Sequence, residues 1–468
     1  MKKIVLVVLV SLGIIGPVGA VENSVEAVRS MLQEPPVEYR SSPLVVWNDD
    51  MTEEKITNML TDLQSQGVWQ LFIHPRPSLV TPYLSERWLD LYEWTIGEAD
   101  RLGMRVWIYD ENSYPSGFAG GHVPHNMPES RAIGVHLQRA EKPPEEITDE
   151  IVAVHRVVDG KTEDVTDAVR EGKSLPDGEY QVFTIRQASM GNPWYAGYCY
   201  VDLLRPGVTE EFLEVTLETY RKRFGDEFGK LVPGSFTDEP HLRPAGGIHW
   251  SKDFLDRFEA RWGYSLREHL PSLFEEVGDW KRVRHNWHRF LLEEFIEHWA
   301  KPYYEYCAEN DLDFTGHYWE HGWPNCNGVT DNMAMAAFQQ IPGIDCLMNR
   351  YSEGPHAQFG NVRAVKEVAS IANQLGRERV LCEAYGAAGW DFEFQDMKRI
   401  ADWLCVLGVN FIDQHLSYTT IRGARKRDHP PSFTYHEPWW PLYHVSGDYL
   451  ARMMLAVSSG RQENRVLV

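Results

Sequence analysis

The sequence predicts an α/β fold, and within that class a (β/α)8 TIM barrel with a β-rich insertion after the third strand. Short apolar segments alternate with amphipathic segments along most of the 468 residues. Eight strand–helix pairs can be traced in this way. The segment 125–205 interrupts the alternation and is rich in Val, Thr, Gly and Pro. A doubly wound open sheet is the alternative, but no glycine-rich phosphate loop follows an early strand.

Three strand segments and two helices are predicted before the insertion. The strands lie at 43–48, 69–74 and 104–110, and the helices at 52–67 and 85–102. Thr52 is a suitable N-cap for the first helix, and Gly103 is a suitable end for the second.

The alternation resumes after the insertion and continues almost to the end of the chain. The predicted strands lie at 231–237, 314–318, 343–347, 379–383 and 410–415. The predicted helices lie at 209–228, 252–263, 281–309, 361–375, 394–407 and 443–459. The expected organisation is a signal peptide at 1–20, barrel segments at 21–124 and 206–468, and the insertion at 125–205. The last four residues resemble the start of another strand, so we expect the chain to be the front part of a longer polypeptide.

The first twenty residues have the pattern of an export signal. Lys2 and Lys3 precede an apolar stretch at 4–15, and small residues at 18–20 form a cleavage site. This stretch is too short to span a bilayer and no second one follows, so we expect no membrane contact after cleavage. The expected location is periplasmic or extracellular.

Composition narrows the classes of partner. The 46 basic and 68 acidic residues give a net charge of −22, which disfavours nucleic acid as a partner because a polyanion would be repelled. The six cysteines form no CxxC pair and mostly lie in apolar segments, so we expect buried free thiols. We expect no organic cofactor, and the sequence predicts no oligomeric state.

Polar side chains follow the predicted strands at the ends where barrel enzymes carry their chemistry. They include His74, Arg76, Asp110, Glu111, Asp238, Glu239, His317, Glu320, Asp345, Glu383 and His415. Acidic groups that face one mouth repel one another and lose hydration, so structural roles do not account for all of them. A paired general acid and base is their natural use, and it matches cleavage of a glycosidic bond by two carboxylates.

Individual candidates have more than one interpretation. Glu383 lies in an otherwise apolar strand, which favours a functional role because a lone Glu is rarely buried. Asp110 and Glu111 fit either a hydroxyl- or metal-binding pair or a structural salt bridge to Arg76. Asp238 could be a helix-capping residue.

The segment around His317 and His321 invites a metal interpretation. Two His residues four apart with Glu320 between them are a weak signal for zinc, and no HExxH motif occurs. Binding of sugar hydroxyls is favoured, and a hard cation such as calcium stays open.

Aromatic residues favour a carbohydrate partner. They make up 12% of the chain, and several of the 17 Trp residues lie beside the acidic strand ends. Tyr114 and Trp390 belong to this set. Flat rings next to hydrogen-bonding groups suit the apolar faces of sugar rings.

Five motifs, taken in order and spacing, resemble the catalytic barrel of glycoside hydrolase family 106, the α-L-rhamnosidases. They lie at 72–77, 109–117, 236–240, 316–318 and 383–386, and the stretch 408–440 fits as well. The resemblance implies an exported bacterial enzyme that removes terminal α-L-rhamnose, or a related sugar, from polysaccharides. It also implies inversion at the sugar carbon and assistance by calcium.

These observations lead to one main hypothesis and two alternatives. In the main hypothesis Glu239 is the general acid, and Glu383 activates water or attacks the sugar carbon. The residues expected to contact sugar hydroxyls or a cation are His74, Arg76, Asp110, Glu111, Tyr114, Asp238, His317, Glu320, Trp390 and His415. The alternatives are a non-catalytic, vestigial carbohydrate-binding barrel and a metal-dependent hydrolase that uses the His317–His321 segment.

Overall fold

The structure is a computed structural model that describes residues 25–460 and residue 462. The predicted signal segment therefore lies outside the described residues. Within the described residues, no helix is long and apolar enough to cross a membrane.

The described chain alternates between strands and helices. The strands are β1 (Leu44–Trp47), β2 (Gln70–Pro75), β3 (Arg105–Tyr109), β4 (Ile133–Ala140), β5 (Ile151–Val158), β6 (Lys161–Asp164), β7 (Tyr180–Gln187), β8 (Gly234–Thr237), β9 (Ile248–Trp250), β10 (Asp313–Gly316), β11 (Gly343–Cys346), β12 (Leu381–Ala384), β13 (Phe411–Gln414) and β14 (Ser417–Tyr418). The helices are α1 (Val25–Gln33), α2 (Glu53–Ser65), α3 (Glu86–Leu102), α4 (His122–Asn126), α5 (Thr166–Arg170), α6 (Val208–Val215), α7 (Leu217–Phe224), α8 (Phe254–Trp262), α9 (Leu270–Phe274), α10 (Trp280–Phe295), α11 (Lys301–Glu309), α12 (Asn332–Ala336), α13 (Val362–Leu375), α14 (Phe394–Leu407) and α15 (Tyr443–Ser458).

Two parallel sheets form the frame of the molecule. The order in the first is β10-β8-β3-β2-β1-β14, and the order in the second is β11-β12-β13. The predicted α/β class is confirmed, and each of the eight predicted strands is present as a parallel strand. They are divided between two sheets rather than joined in one continuous ladder.

The inner faces of the two sheets share one apolar cluster. Successive side chains of a strand point to opposite faces, so Leu44 and Val46 of β1 face inward while their neighbours face the helices. The rings of Phe72 and Trp107 from the first sheet lie 6.4 and 5.6 Å, between centroids, from the ring of Phe411 in the second. The two sheets therefore pack against each other through aromatic side chains.

Hydrogen bonds also join the edges of the two sheets. Ser42, just before β1, donates its N–H to the carbonyl of Ile412 in β13 at 3.1 Å. Ile341, just before β11, donates its N–H to the carbonyl of Phe314 in β10, also at 3.1 Å. The two sheets are thus hydrogen-bonded to each other at two places, between β13 and the residues before β1 and between β10 and the residues before β11.

The ends of the helices follow local sequence signals. The Thr52 hydroxyl accepts a hydrogen bond from the N–H of Lys55 and caps α2. Gly103 ends α3 with a φ of 71°, a left-handed conformation that costs glycine no steric penalty. The predicted helix 209–228 is instead two helices, because Thr216 has a φ of −96° and a ψ of −86°, outside the helical region.

The interrupted part of the sequence forms an antiparallel sheet in the order β6-β5-β7-β4-β9. Strands β4 to β7 fall inside the predicted segment 125–205, whereas β9 follows β8 in the chain. The segment 193–200 after β7 returns to the parallel strands, since the Tyr200 hydroxyl donates to the carbonyl of Ser116 at 2.7 Å. This contact brings inserted residues close to the strand ends.

All six cysteines lie in the described part of the chain and are free thiols, as predicted. Five of them are buried, and Cys326 is partly exposed. Burial raises the pKa of Cys382, so this thiol stays protonated and unreactive.

Candidate active site

The carboxyl ends of the parallel strands bring five acidic side chains and one histidine together. They are Asp238 and Glu239 after β8, His317 after β10, Asp345 in β11, Glu383 in β12 and Asp413 in β13. All of them except Glu239 are buried. This is the end of a parallel α/β sheet at which ligands bind.

Asp345, Glu383 and Asp413 occupy the same register position on three adjacent strands. Asp345 pairs with Glu383, and Glu383 pairs with Asp413. Paired residues of neighbouring strands, about 4.8 Å apart, face the same side, so three carboxyl groups share one face. Burial and the charge of Glu383 raise the pKa of both aspartates well above its ordinary value. These two groups therefore hold their protons near neutrality.

Glu383 keeps its charge because it is paired with His317. The Nε2 atom of His317 lies 2.8 Å from Oε2 of Glu383. Burial favours the neutral form of each group, but the hydrogen bond and the opposite charge of the partner outweigh it. The pKa of His317 is raised well above its ordinary value, and the pKa of Glu383 is lowered. The pair is an imidazolium that donates to a carboxylate.

Glu239 lies at the opening of this cluster and is half-buried. Its backbone φ is 45°, a left-handed conformation that is strained for a residue with a Cβ and that often marks a functional position. The surrounding protein removes most of its hydration, and the charge of Asp238 adds repulsion. Together they raise the pKa of Glu239 well above its ordinary value. A protonated carboxyl thus stands near the ionised carboxylate of Glu383, as in an acid–base pair.

Asp238 lies beside the pair formed by His317 and Glu383. The hydroxyl of Tyr109 donates to Oδ2 of Asp238 at 2.5 Å, and Oδ1 lies 3.7 Å from Nε2 of His317. Burial and the charge of Glu383 raise the pKa of Asp238 to about 7. Asp238, predicted as a substrate ligand, is therefore held by a buried tyrosine and faces His317.

Arg76 and Asp428 form a second charged unit at the strand ends. The guanidinium of Arg76 makes two hydrogen bonds to the carboxylate of Asp428, both 2.7 Å long. The interpretation of Asp110 and Glu111 as salt-bridge partners of Arg76 is therefore wrong. His74 Nε2 lies 2.8 Å from Nη1 of Arg76, and burial together with the Arg76 charge lowers the pKa of His74 well below its ordinary value. The half-buried ring of Tyr114 lies 5.4 Å from the guanidinium.

The carboxylates of Asp110 and Glu111 are used inside the protein. Asp110 accepts hydrogen bonds from the hydroxyls of Ser116 and Tyr303 at 2.6 and 3.0 Å. Glu111 accepts five backbone N–H groups, those of Asn112, Gly117, Phe118, Ala119 and Gly120. Both side chains are fully buried. Their oxygens hold the loop that carries Tyr114, while contact with substrate or a cation stays a prediction.

We expect Glu111→Gln to destabilise the protein by about 2–4 kcal/mol, because an amide group cannot accept at both of its ends. Urea unfolding of this variant and of Glu54→Gln, a change at an exposed position of α2, measures the difference. Equal free energies of unfolding for the two variants would contradict the anchoring role.

Glu320 and Asp345 carry buried oxygens that could hold a cation. Oε1 of Glu320 accepts the N–H of Asp345, while Oε2 of Glu320 and Oδ1 of Asp345 have no hydrogen-bond partner within the described chain. His321 Nε2 lies 3.6 Å from Glu320 and 3.7 Å from Asp345. Two groups of side chains could each hold an ion, because the donor atoms within each group lie within 4.8 Å of one another. One group is Asp238, His317 and Glu383, and the other is Glu239, His317 and Asp345. Unpaired carboxylate oxygens suit a hard divalent cation.

His415 and Trp390 occupy different surroundings. His415 is buried with Nε2 at 3.6 Å from Oε1 of Glu383, and burial lowers its pKa to about 3, so its ring is neutral. Trp390 is 39% exposed and donates its indole N–H to the carbonyl of Lys426 at 3.2 Å. The structure thus brings His415 to the acid–base pair and leaves Trp390 in the exposed loop after β12.

Asp413 and Asp428 are members of the site that the sequence analysis did not single out. Asp413 is the one charged residue of an apolar strand, the same signal that identified Glu383, and could have been found by it. Asp428 lies in a polar segment with three basic neighbours, where no local pattern marks a buried partner for Arg76.

Comparison with known proteins gives three similarities. The family model of glycoside hydrolase family 106, described as α-L-rhamnosidase, matches residues 146–467. A protein of Formosa agariphila, provisionally named a β-glucuronidase, is 23% identical over an alignment of 519 positions, and the alignment covers 95% of this chain and 43% of that protein. The structure of a rhamnosidase from Novosphingobium sp. PP1Y has a TM-score of 0.71 at 17% identity, over 93% of this chain and 61% of that one. The chain spans less than half the length of its curated relative, and the structural likeness shows a shared fold.

Proposed function

The chain belongs to glycoside hydrolase family 106, the α-L-rhamnosidase family, and from this premise we propose that it hydrolyses terminal α-L-rhamnosyl or closely related residues of poly- or oligosaccharides. One observation carries the proposal. Glu239 and Glu383 both lie beside His317 at the strand ends, and in these surroundings the pKa of Glu239 is raised and the pKa of Glu383 is lowered. Two carboxyl groups of opposite protonation are what acid–base cleavage of a glycosidic bond needs.

The proposed reaction uses these two groups in one step. Glu239 gives its proton to the glycosidic oxygen as the bond from that oxygen to the sugar carbon breaks. Water attacks the sugar carbon from the opposite face, and Glu383 takes the proton that this water loses. His317 holds Glu383 in place and ionised before the reaction. The products are free sugar and the shortened saccharide.

The charges of the site favour a neutral sugar over a uronic acid. The buried cations Arg76 and His317 are already paired with Asp428 and Glu383. The carboxylate of a glucuronate would therefore lie beside Glu239 and its acidic neighbours. Among the described groups around Glu239 and Glu383, no cation is left unpaired to balance its charge. The likeness to a provisionally named β-glucuronidase therefore supports the reaction class, and the charges support a deoxysugar such as rhamnose.

A panel of aryl glycosides tests the proposal. We expect release of the aryl group from the α-L-rhamnoside at a rate at least tenfold above that from the β-D-glucuronide, which is roughly the discrimination expected when a buried charge lacks a partner. Turnover of the glucuronide alone would reject the sugar assignment. Binding of rhamnose by a folded protein that turns over no glycoside would support the alternative of a non-catalytic binding barrel.

We propose that the sugar is released with inversion. The resemblance of the motifs supports this. Inverting enzymes hold their two carboxyl groups about 6.5–9.5 Å apart, which leaves room for the attacking water. Proton NMR of the first product formed from an α-L-rhamnoside is expected to show the β anomer. Initial formation of the α anomer would mean retention.

Calcium is the cation we propose for this site. Its ligands would be the carboxylate oxygens of Glu320 and Asp345 that lack a partner within the described chain. A bound cation would displace the proton that the raised pKa leaves on Asp345, and it would offer a ligand position to sugar hydroxyls. The metal-dependent alternative with zinc fits less well, since Nε2 of His317 already bonds to Glu383.

Chelation is expected to lower both activity and thermal stability. Treatment with a calcium chelator removes the charge that offsets the acidic cluster, and we expect a fall in melting temperature that added calcium reverses. Glu320→Gln should abolish the calcium-dependent rise in melting temperature. Recovery with zinc but not with calcium would support the metal-dependent hydrolase instead.

We also propose that the two parallel sheets close into one (β/α)8 barrel. The hydrogen bonds of Ser42 and Ile341 across the sheet edges support closure, as does the shared inner cluster. Hydrogen exchange is the test. The amides of Ser42 and Ile341 are expected to exchange as slowly as amides within the sheets, and fast exchange of either would indicate an open edge.

Export to the periplasm or the medium completes the proposal. Its support is the charged, apolar and small-residue pattern at 1–20. Mass spectrometry of the protein isolated from the producing cell is expected to find Val21 as the first residue. A mature chain that retains Met1 would contradict it.

A further inference from the structure

The proposed general acid marks the leaving-group side of the site. An acid that protonates the glycosidic oxygen lies beside the departing sugar, whereas the base lies on the opposite face of the ring that is cut. Side chains that surround Glu239 therefore face the part of the substrate that leaves. Two exposed tryptophans, Trp194 and Trp319, are linked to the loop of Glu239 through neighbouring aromatic rings.

The ring of His241 lies between Trp319 and the backbone of Glu239. Nδ1 of His241 lies 2.6 Å from the carbonyl oxygen of Glu239, and the centroids of His241 and Trp319 are 5.1 Å apart. The indole is 38% exposed. A Cβ built at Gly322 or Gly328 would lie 3.0 or 3.2 Å from Cδ1 of Trp319, so these glycines allow the backbone to pack closely around the ring.

Trp194 packs against Tyr114, a residue influenced by the charge of the same acid. Its indole N–H donates to the carbonyl of Tyr114 at 2.5 Å, and the two rings meet edge to face with centroids 5.1 Å apart. Burial and the charges of Asp238 and Glu239 raise the pKa of Tyr114 to about 12, against the opposing charge of Arg76. Tyr114 thus contacts Trp194 and is close enough to Glu239 for its pKa to respond to that charge, and 37% of the Trp194 surface is exposed.

A row of packed rings holds the two indoles in place. The ring of Tyr195, which adjoins Trp194, lies 5.9 Å from that of Tyr200, and the ring of Tyr200 lies 5.7 Å from that of His241. Arg243 donates to the hydroxyl of Tyr195 at 2.7 Å. The inserted segment 193–200 is therefore fixed against the loop that carries Glu239.

We propose that Trp194 and Trp319 form the leaving-group subsite, in which the apolar face of a neutral sugar ring linked to the rhamnose packs on the exposed indoles. The inference rests on the proposed function, because the role of Glu239 identifies the side. Large apolar rings left exposed beside a polar cluster mark a binding surface. Indoles provide both an apolar face and a hydrogen-bonding edge for a sugar.

Two substrates separate this subsite from the reaction centre. Rhamnosyl fluoride has no sugar in the leaving group, whereas a rhamnosyl-glucose disaccharide does. We expect Trp194→Ala and Trp319→Ala each to lower kcat/KM for the disaccharide by roughly tenfold, with the value for the fluoride changed by less than about twofold. Trp319→Phe should retain most of the activity on the disaccharide. Trp94→Ala is the matched control, since Trp94 is 45% exposed on α3 and its indole bonds to Thr57.

Equal losses on both substrates, or no loss on either, would overturn the subsite. A wild-type protein that hydrolyses neither substrate would reject the proposed function, and binding then decides the inference. Saturation-transfer NMR with cellobiose is expected to show contact with the wild type and with Trp94→Ala but not with the Trp194→Ala/Trp319→Ala double variant. Equal transfer to all three proteins, or to none, would also overturn it.

Discussion

Glu239→Gln is expected to lower kcat/KM for the rhamnosyl-glucose disaccharide by about 10³- to 10⁴-fold. The amide has no acidic proton to give to the glycosidic oxygen, and a sugar alkoxide is a poor leaving group. Fluoride leaves rhamnosyl fluoride without a full proton transfer, so the loss of kcat/KM on that substrate should stay within about tenfold. Steady-state kinetics on both substrates, with melting curves to show that the variant is folded, measure the effect.

The pH dependence provides a second check on the same residue. Glu383 must be ionised and Glu239 protonated, so activity falls as pH drops through the lowered pKa of Glu383 and as pH rises through the raised pKa of Glu239. On the fluoride, Glu239→Gln should lose the alkaline fall and keep the acidic one. Equal losses on both substrates, with an unchanged profile, would show that Glu239 is not the proton donor.

Glu383→Gln is expected to lower kcat/KM by about 10³-fold or more on the disaccharide and the fluoride alike, because both need the attacking water to lose a proton. The change also removes the negative charge that stabilises the imidazolium of His317 at 2.8 Å. We therefore expect the NMR titration of His317 to move to lower pH in this variant.

Asp413→Asn is the matched control for this change. Asp413 has the same register position on the next strand, but its raised pKa keeps it neutral, so an amide replaces a group of equal charge and similar shape. We expect a loss of less than about tenfold. If Asp413→Asn falls as far as Glu383→Gln, the assignment of charge within the row is wrong.

Most of the parallel framework could be predicted because its signals are local. Apolar runs and caps such as Thr52 and Gly103 depend on neighbours within a few residues, and the structure places α2 and α3 within a residue or two of the predicted bounds. The division of 209–228 into two helices escaped prediction, because the break at Thr216 has no glycine or proline to mark it.

Most of the candidate acids could also be named from the sequence, since each lies at or just after the end of a predicted strand. Their roles could not be predicted in this way. Glu111 and Glu383 look alike as acids near a strand end, yet Glu111 is surrounded by five backbone donors while Glu383 faces His317. Both side chains are buried, unlike the acids on the surface, and the sequence pattern does not reveal this difference.

The sequence by itself determined the α/β class, the places of the eight predicted strands along the chain and most of the residues at the strand ends. The tertiary structure alone decided that Asp345, Glu383 and Asp413 share one register position, and that Arg76 pairs with Asp428, 352 residues away. The reason is physical: secondary structure follows from contacts within a few residues, whereas protonation follows from burial and from charges a few ångströms away. Those charges are carried by segments that meet only when the chain is folded.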